Sequence, residues 1–129
     1  MSIETVTDPR RFIEDLHNRY HEDAVHSDED PATVIDRYYT PDIELRSDGV
    51  SMGRERLIKH LRPVRKSVVS GHYEVLDAVR DGNRIAARLI IHGETRAGAT
   101  EQIEVIEFCE VTDDGRFAKV TALTRPLGD

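Results

Sequence analysis

Beyond residue 70 the sequence leaves no room for a helix. Residues 71–80, 84–93, 100–112 and 116–125 are rich in β-branched and apolar side chains. Only short turns separate them: Asp81-Gly82, Ala97-Gly98 and Asp113-Asp114-Gly115. Each turn supplies a residue that tolerates the positive φ of a tight hairpin. Parallel neighbours would need a crossover of a dozen or more residues. The four strands therefore form an antiparallel meander, and any helices come from the first half of the chain. Helices first and a meander after them predict an α+β fold, with the helices on one face of the sheet.

The first half carries the matching signals. Asp8-Pro9 places a capping carboxylate before a proline at the first helical position. Phe12, Ile13, Leu16, Tyr20 and Ala24 then recur at helical spacing, with Glu14, Asp15, Asn18, Arg19, Glu22 and Asp23 opposite them. Asp30-Pro31 repeats the cap before Val34, Ile35, Tyr38 and Tyr39, and Thr40-Pro41 stops that second helix. Asp42 to Ser47 alternates as a half-buried strand does. Asp48-Gly49 turns the chain, and Gly53 opens a third helix that Pro63 is expected to end. A chain of 129 residues makes one domain. Residues 1–7 read as a loose N-terminal segment and 8–129 as that domain.

Composition narrows the function classes. Twenty-five acidic against 18 basic residues, a formal charge of -7, argue against phosphate-backbone binding. Five per cent aromatic content without tryptophan argues against base stacking. No apolar run of about 20 residues is present to span a membrane, and the first residues lack the apolar stretch of a signal peptide. One cysteine, Cys109, cannot staple a secreted fold, so a cytoplasmic location is expected. No cofactor motif is found.

Three segments carry a family resemblance: Ile35-Asp-Arg-Tyr-Tyr-Thr-Pro-Asp-Ile-Glu-Leu45, Gly53-Arg-Glu-Arg-Leu-Ile-Lys-His-Leu61 and Glu107-Phe-Cys-Glu-Val-Thr-Asp-Asp-Gly-Arg116. In order and spacing the chain resembles the nuclear-transport-factor-2-like superfamily, which includes SnoaL-like polyketide cyclases and ketosteroid isomerases. The resemblance implies a cone-shaped, curved mixed sheet wrapped around three helices, a cystatin-like α+β roll with a pocket at its open end. It also implies a homodimer through the outer sheet face. Such folds host enzymes, binding modules and transport factors alike.

Glu107 is the sharpest candidate for chemistry. It interrupts the otherwise apolar series Ile103, Val105, Cys109, Val111 on one strand face. Lost hydration there would raise its pKa and suit it to acid/base work. The plainer reading is a structural carboxylate paired with Arg88. Residues 84–93 allow two readings: Ile85, Ala87, Leu89 and Ile91 share one face, and Ala86, Arg88, Ile90 and His92 the other. A core argument buries the first face. The resemblance implies that Arg88 and His92 line the pocket and that the aliphatic side, Leu89 included, meets the dimer partner.

The resemblance further sets Tyr20 against the isomerase tyrosine, and Ser47 against the isomerase base, with Asp48 one step away. Core tyrosine and turn aspartate are the plainer readings of Tyr20 and Asp48. His92, Arg88, Tyr20 and Asp48 join Glu107 as catalytic candidates. Tyr39, Arg46, His60 and Tyr73 are expected to line the pocket, as are Ile90, Val105, Cys109 and Val120. His17 and His21 stand four apart but read as a solvated face rather than a metal site. Cys109 reads as a small buried core residue. The function expected is side-chain acid/base catalysis on a small hydrophobic molecule, of isomerase, cyclase, dehydratase or hydrolase type. The alternative is a non-catalytic ligand-binding or dimeric interaction module, with no nucleic acid, membrane or metal partner in either case.

Overall fold

The structure is a computed structural model that describes residues 3–128. The helix signals act where they stand. Asp8 accepts from the Arg11 backbone N–H at 3.1 Å and starts α1 (Pro9–His26). Asp30 accepts from Ala32 N–H at 3.3 Å and starts α2 (Pro31–Tyr38). The third helix, α3 (Arg54–Ser67), runs four residues past Pro63. A proline inside a helix removes one backbone bond, yet Leu61 is buried beneath it and Arg65 anchors the last turn, so the helix does not end where the proline suggested.

The strands are β1 (Tyr39–Ser47), β2 (Val50–Met52), β3 (Val68–Asp81), β4 (Arg84–Thr95), β5 (Thr100–Val111) and β6 (Phe117–Leu127). The short β2 was not anticipated. It exists because Asp48 (φ 54°) and Gly49 (φ 82°) both adopt left-handed backbone and pair Ser47 with Val50, as a two-residue hairpin turn requires. One curved, open sheet results, in the order β2-β1-β6-β5-β4-β3. Only β1 and β6 run parallel; the other neighbours are antiparallel.

The three helices cover one sheet face. Ile13, Leu16 and Ile35 from the helices and Ile85, Leu89, Val111 and Phe117 from the sheet are fully buried together. The core argument for β4 therefore holds. Leu89 belongs to the core of the single chain and not to an outer dimer face.

Two segments expected to be free are tied down. Ile3 is buried, and Arg80 donates to the carbonyls of Val6 (3.2 Å) and Glu4 (3.3 Å), so residues 3–6 are anchored to β3. Residues 1 and 2 of that segment lie outside the described residues. Part of the polar face of α1 lies along β3, the edge of the sheet. Val75 N–H donates to Glu14 at 2.9 Å, and Tyr73 N–H to Asn18 at 2.7 Å. Asn18 returns a bond to the Tyr73 carbonyl at 2.9 Å, and Arg10 donates to the Val75 carbonyl at 3.2 Å. Further along the same edge, Gly71 lets the His21 ring come close: a Cβ there would lie 2.7 Å from the His92 carbonyl oxygen and 3.1 Å from that ring.

Arg65 closes the far end of α1. Its guanidinium donates to the carbonyls of Asp23 (3.4 Å) and Ala24 (2.7 Å), which the end of α1 leaves unbonded, and to that of Glu29 (2.6 Å) in the loop beyond. Arg65→Ala should cost about 1–3 kcal/mol in urea denaturation, because these part-buried carbonyls lose their donor. Arg65→Lys should recover only part of that, since an ammonium cannot reproduce the fork.

Candidate functional site

The register of β5 decides which charges enter the core. Glu107 pairs with Ala87 on β4 and Ala122 on β6, and Cys109 with Ile85 and Val120. These residues share the inner face. Glu107 is only 3% exposed. The helix supplies its partner: His17 Nε2 lies 3.0 Å from Glu107 Oε2, and the Cys109 thiol donates to the same oxygen at 2.7 Å. A carboxylate only accepts, so the Nε2 proton of His17 points at Glu107. The second ring nitrogen, Nδ1, has no hydrogen-bond partner among the described residues, and the His17 side chain keeps 13% exposure.

Aromatic rings enclose this pair. His17 stacks on Tyr73 (centroids 4.9 Å apart, planes 3° apart) and leans on Phe117 at 5.2 Å. Tyr39 packs on Phe117 at 5.5 Å, and Tyr20 meets Tyr39 edge-on at 5.4 Å. Burial pushes the Tyr20 phenol up to about 12, and Tyr39 and Tyr73 also well above their ordinary value. The charge of Glu107 raises the last two further. Two phenols that stay protonated, Tyr39 and Tyr73, thus lie near enough to feel the Glu107 charge, and Tyr20 packs against Tyr39. Burial likewise pushes the Cys109 thiol well up, followed by the neighbouring Glu107 charge; a protonated thiol is a donor rather than a nucleophile.

Glu107 itself departs from expectation. Burial raises its pKa and is the largest single influence, but the electrostatic pull of the His17 ring and the bonds from His17 and Cys109 together prevail. The carboxyl is held below its ordinary value and is ionised at neutral pH. The expected rise assumed an apolar face with no partner.

The structure separates the remaining candidates. Tyr20, Tyr39, Tyr73, Val105, Cys109 and Val120 lie on the inner side with Glu107. Arg88, Ile90 and His92 lie on the outer face, so the pocket-facing reading of Arg88 and His92 is overturned. Arg88 is 54% exposed and pairs with Glu104 at 2.9 Å, not with Glu107. His92 Nε2 sits 2.9 Å from Glu74. Arg46 and His60 are exposed, on the outer side of β1 and on α3 respectively. Asp48 is a clasp: it accepts from the Thr124 N–H at 2.8 Å and hydroxyl at 2.5 Å, which lower its pKa, and so ties the β1–β2 turn to β6.

His17 is the residue that the sequence reading set aside. The signal was present, because Ile13, His17, Tyr20 and Ala24 follow one another at three- and four-residue steps along the apolar stripe. The outer face carries a different feature. Val79, Ile106, Phe108 and Leu123 are exposed there, and a shallow cleft of about 190 Å³ runs between Val79, Ala86, Ile106 and Phe108. Among the described residues no group of three or more histidines, cysteines or carboxylates could hold a metal ion. No helix among them is long and apolar enough to cross a membrane.

Comparison with known proteins agrees with this architecture. A family model described as a SnoaL-like domain matches residues 7–120. A protein from Shewanella denitrificans proposed to be a SnoaL-like polyketide cyclase superposes with a TM-score of 0.68 at 12% identity, covering 91% of this chain and 90% of that one. Wild-type IdmH from Streptomyces antibioticus, proposed to be a polyketide cyclase, gives 0.64 at 16% identity with 91% of each chain covered. A Catenulispora acidiphila protein with a ketosteroid isomerase-like fold, in complex with trimethylamine, gives 0.58 at 12% identity, covering 80% of this chain and 79% of the other. No curated protein matches the chain.

The buried pair makes two measurable demands. His17→Leu should cost about 3–5 kcal/mol at pH 7, because it strands the Glu107 charge, and the double change with Glu107→Leu should regain much of that. A carboxyl held below its unfolded pKa stabilises the fold above that value and loses the contribution as pH falls through the folded one. Below about pH 4.5 the wild type should therefore lose stability more steeply than Glu107→Gln in acid-titrated thermal melts.

Proposed function

The chain belongs to the SnoaL-like domain family, and from that premise we propose that it is a cofactor-independent acid/base enzyme acting on a small hydrophobic carbonyl compound. The observation that carries this reading is the buried His17–Glu107 pair with the protonated phenols of Tyr39 and Tyr73 near its charge. Glu107 holds the imidazole by Nε2 and balances the positive charge it acquires. Nδ1 is then free to take a proton from carbon beside a carbonyl. The carbonyl oxygen gains negative charge as that proton leaves, and buried phenol donors are suited to receive it. Return of the proton from Nδ1 to a second carbon completes an isomerisation. Attack of the enolate carbon on another carbonyl within the same molecule, with the proton delivered to the new alkoxide, completes a ring closure. An imidazole with one nitrogen fixed by a carboxylate is a common arrangement for such transfers. The solved relatives proposed to be polyketide cyclases agree with this substrate class.

The test is deuterium uptake from D2O at the α-carbons of a panel of apolar cyclic ketones and diketones, followed by proton NMR. The wild type should accelerate exchange saturably for at least one member. Glu107→Gln keeps a hydrogen bond but loses the charge, and should slow exchange about 10²–10⁴-fold. Exchange unaffected in both Glu107→Gln and His17→Gln would remove the pair from catalysis.

A second reading is a dimeric interaction module, favoured by the outer patch of Val79, Ile106, Phe108 and Leu123. The last two are 58% and 69% exposed. Light scattering should show a dimer that Phe108→Asp converts to monomer with its circular dichroism unchanged.

A further inference from the structure

Four of the six histidines form a group that starts one helical turn along α1 from His17, and His21 shares Tyr73 as a ring neighbour with His17. On α1, the His21 and His26 rings lie 5.9 Å apart, nearly perpendicular. Directly across β3 and β4, His72 stacks on His92 with centroids 4.5 Å apart and planes 11° apart. His21 approaches from the inner side, against Gly71. His72 and His92 occupy the outer side of the same two strands.

His21 stands where the seal along the β3 edge gives out. Arg10, Glu14 and Asn18 descend α1 and bond the backbone of Val75 and Tyr73. The next position on that stripe is His21, beside Gly71. Its Nε2 is buried and has no hydrogen-bond partner among the described residues. The ring contacts Tyr73 edge-on at 5.9 Å. A neutral imidazole fits this place by packing alone; a charged one would need an acceptor for each of its two N–H groups.

The surrounding charges favour neutrality. Burial lowers the pKa of His21 most; His26 and then His72 add to this, and Glu22 opposes them without prevailing. From β3, Glu74 is engaged by His92 Nε2 at 2.9 Å. On β4, Glu94 accepts from the Ser70 hydroxyl at 3.5 Å. From β5, Gln102 Nε2 lies 3.1 Å from His92 Nδ1, so its amide donates and that nitrogen accepts. Asp23 on α1 is held by Arg37, and from α3 Arg65 brings a fixed positive charge to the last turn of α1.

We propose that this cluster is an acid-operated latch that releases the C-terminal half of α1 from the β3 edge as the imidazoles take up protons. Imidazoles charge between about pH 8 and 5, above the range in which the lowered carboxyls titrate. His21 sets the sign: a base with a depressed folded pKa stabilises the closed form above its unfolded pKa, 6.5, and that contribution is lost as pH falls through the folded value. Release would bare Tyr73 and the His17 ring stacked on it. That consequence for the site rests on the proposed function, whereas the latch is read without any substrate.

The experiment is hydrogen exchange of the full chain at several pH values from 7.5 to 5.0, corrected for intrinsic exchange rates, with imidazole titration by NMR on the same protein. Opening of peptides covering 18–26 and 68–76 should rise up to about tenfold per pH unit for each additional proton bound. Peptides covering 40–52 should not change. His21→Asn, which removes the titrating group and offers the kind of amide that Asn18 provides, should flatten the rise. The proposal is overturned if the rise is global, if it is absent, if it survives in His21→Asn, or if His21 of the wild type titrates at or above 6.5. Should His21→Asn not fold, the wild-type titration and the segment-by-segment exchange still decide.

Discussion

An open sheet has two edges, and the longer one here governs how the rest of the molecule is arranged. β3 spans 14 residues and would present its outward backbone groups to solvent or to another chain. The first helix meets that demand with side chains: Arg10, Glu14 and Asn18 bond to Val75 and Tyr73 as a neighbouring strand would. Such bonds work only if α1 lies along β3 in one register, with each side chain opposite its backbone partner. That register carries His17 over β5 and lays it on Glu107. The chemistry of the interior is thus downstream of how an edge is sealed.

The interior pair is costly and specific. Burying a carboxylate is unfavourable unless its partners are well placed, and Glu107 has two donors on one oxygen. Hydrophobic residues at 17 and 107 would hold the helix on the sheet as well or better. An ionised group buried beside the phenols of Tyr39 and Tyr73 is accordingly a feature that stability does not require. Asp48, also an acidic candidate, is the opposite case: exposed, doubly bonded to Thr124 and fully explained by the turn it fastens.

Much of the fold was legible because its signals are local. Asp8-Pro9 and Asp30-Pro31 start helices, and Gly82, Gly98 and Gly115 turn hairpins with positive φ. Glu107 was legible as a charge in an apolar series. What failed was anything that depended on the third dimension. Arg88 and His92 alternate with aliphatic residues on both sides, so the pattern alone cannot say which side the helices cover. Arg10, Glu14 and Asn18 look the same in sequence whether they meet water or a strand edge. Pro63 lacks a donor, but packing around Leu61 and Arg65 outweighs one missing bond. His17 was passed over because a polar residue on an apolar stripe declares itself only beside its partner, 90 residues away.

The position of β6 has a consequence for how the chain assembles. It follows the other five strands in sequence, yet it lies inside the sheet, between β1 and β5. Until residues 117–127 are in place, the β1–β2 hairpin has no strand to join and the β3–β4–β5 meander keeps a second open edge. The two halves of the sheet therefore become one body only when the C-terminal segment slides between them, parallel to one and antiparallel to the other. β6 is the keystone of the sheet, and closure of the long connection between β1 and β6 must precede the final packing.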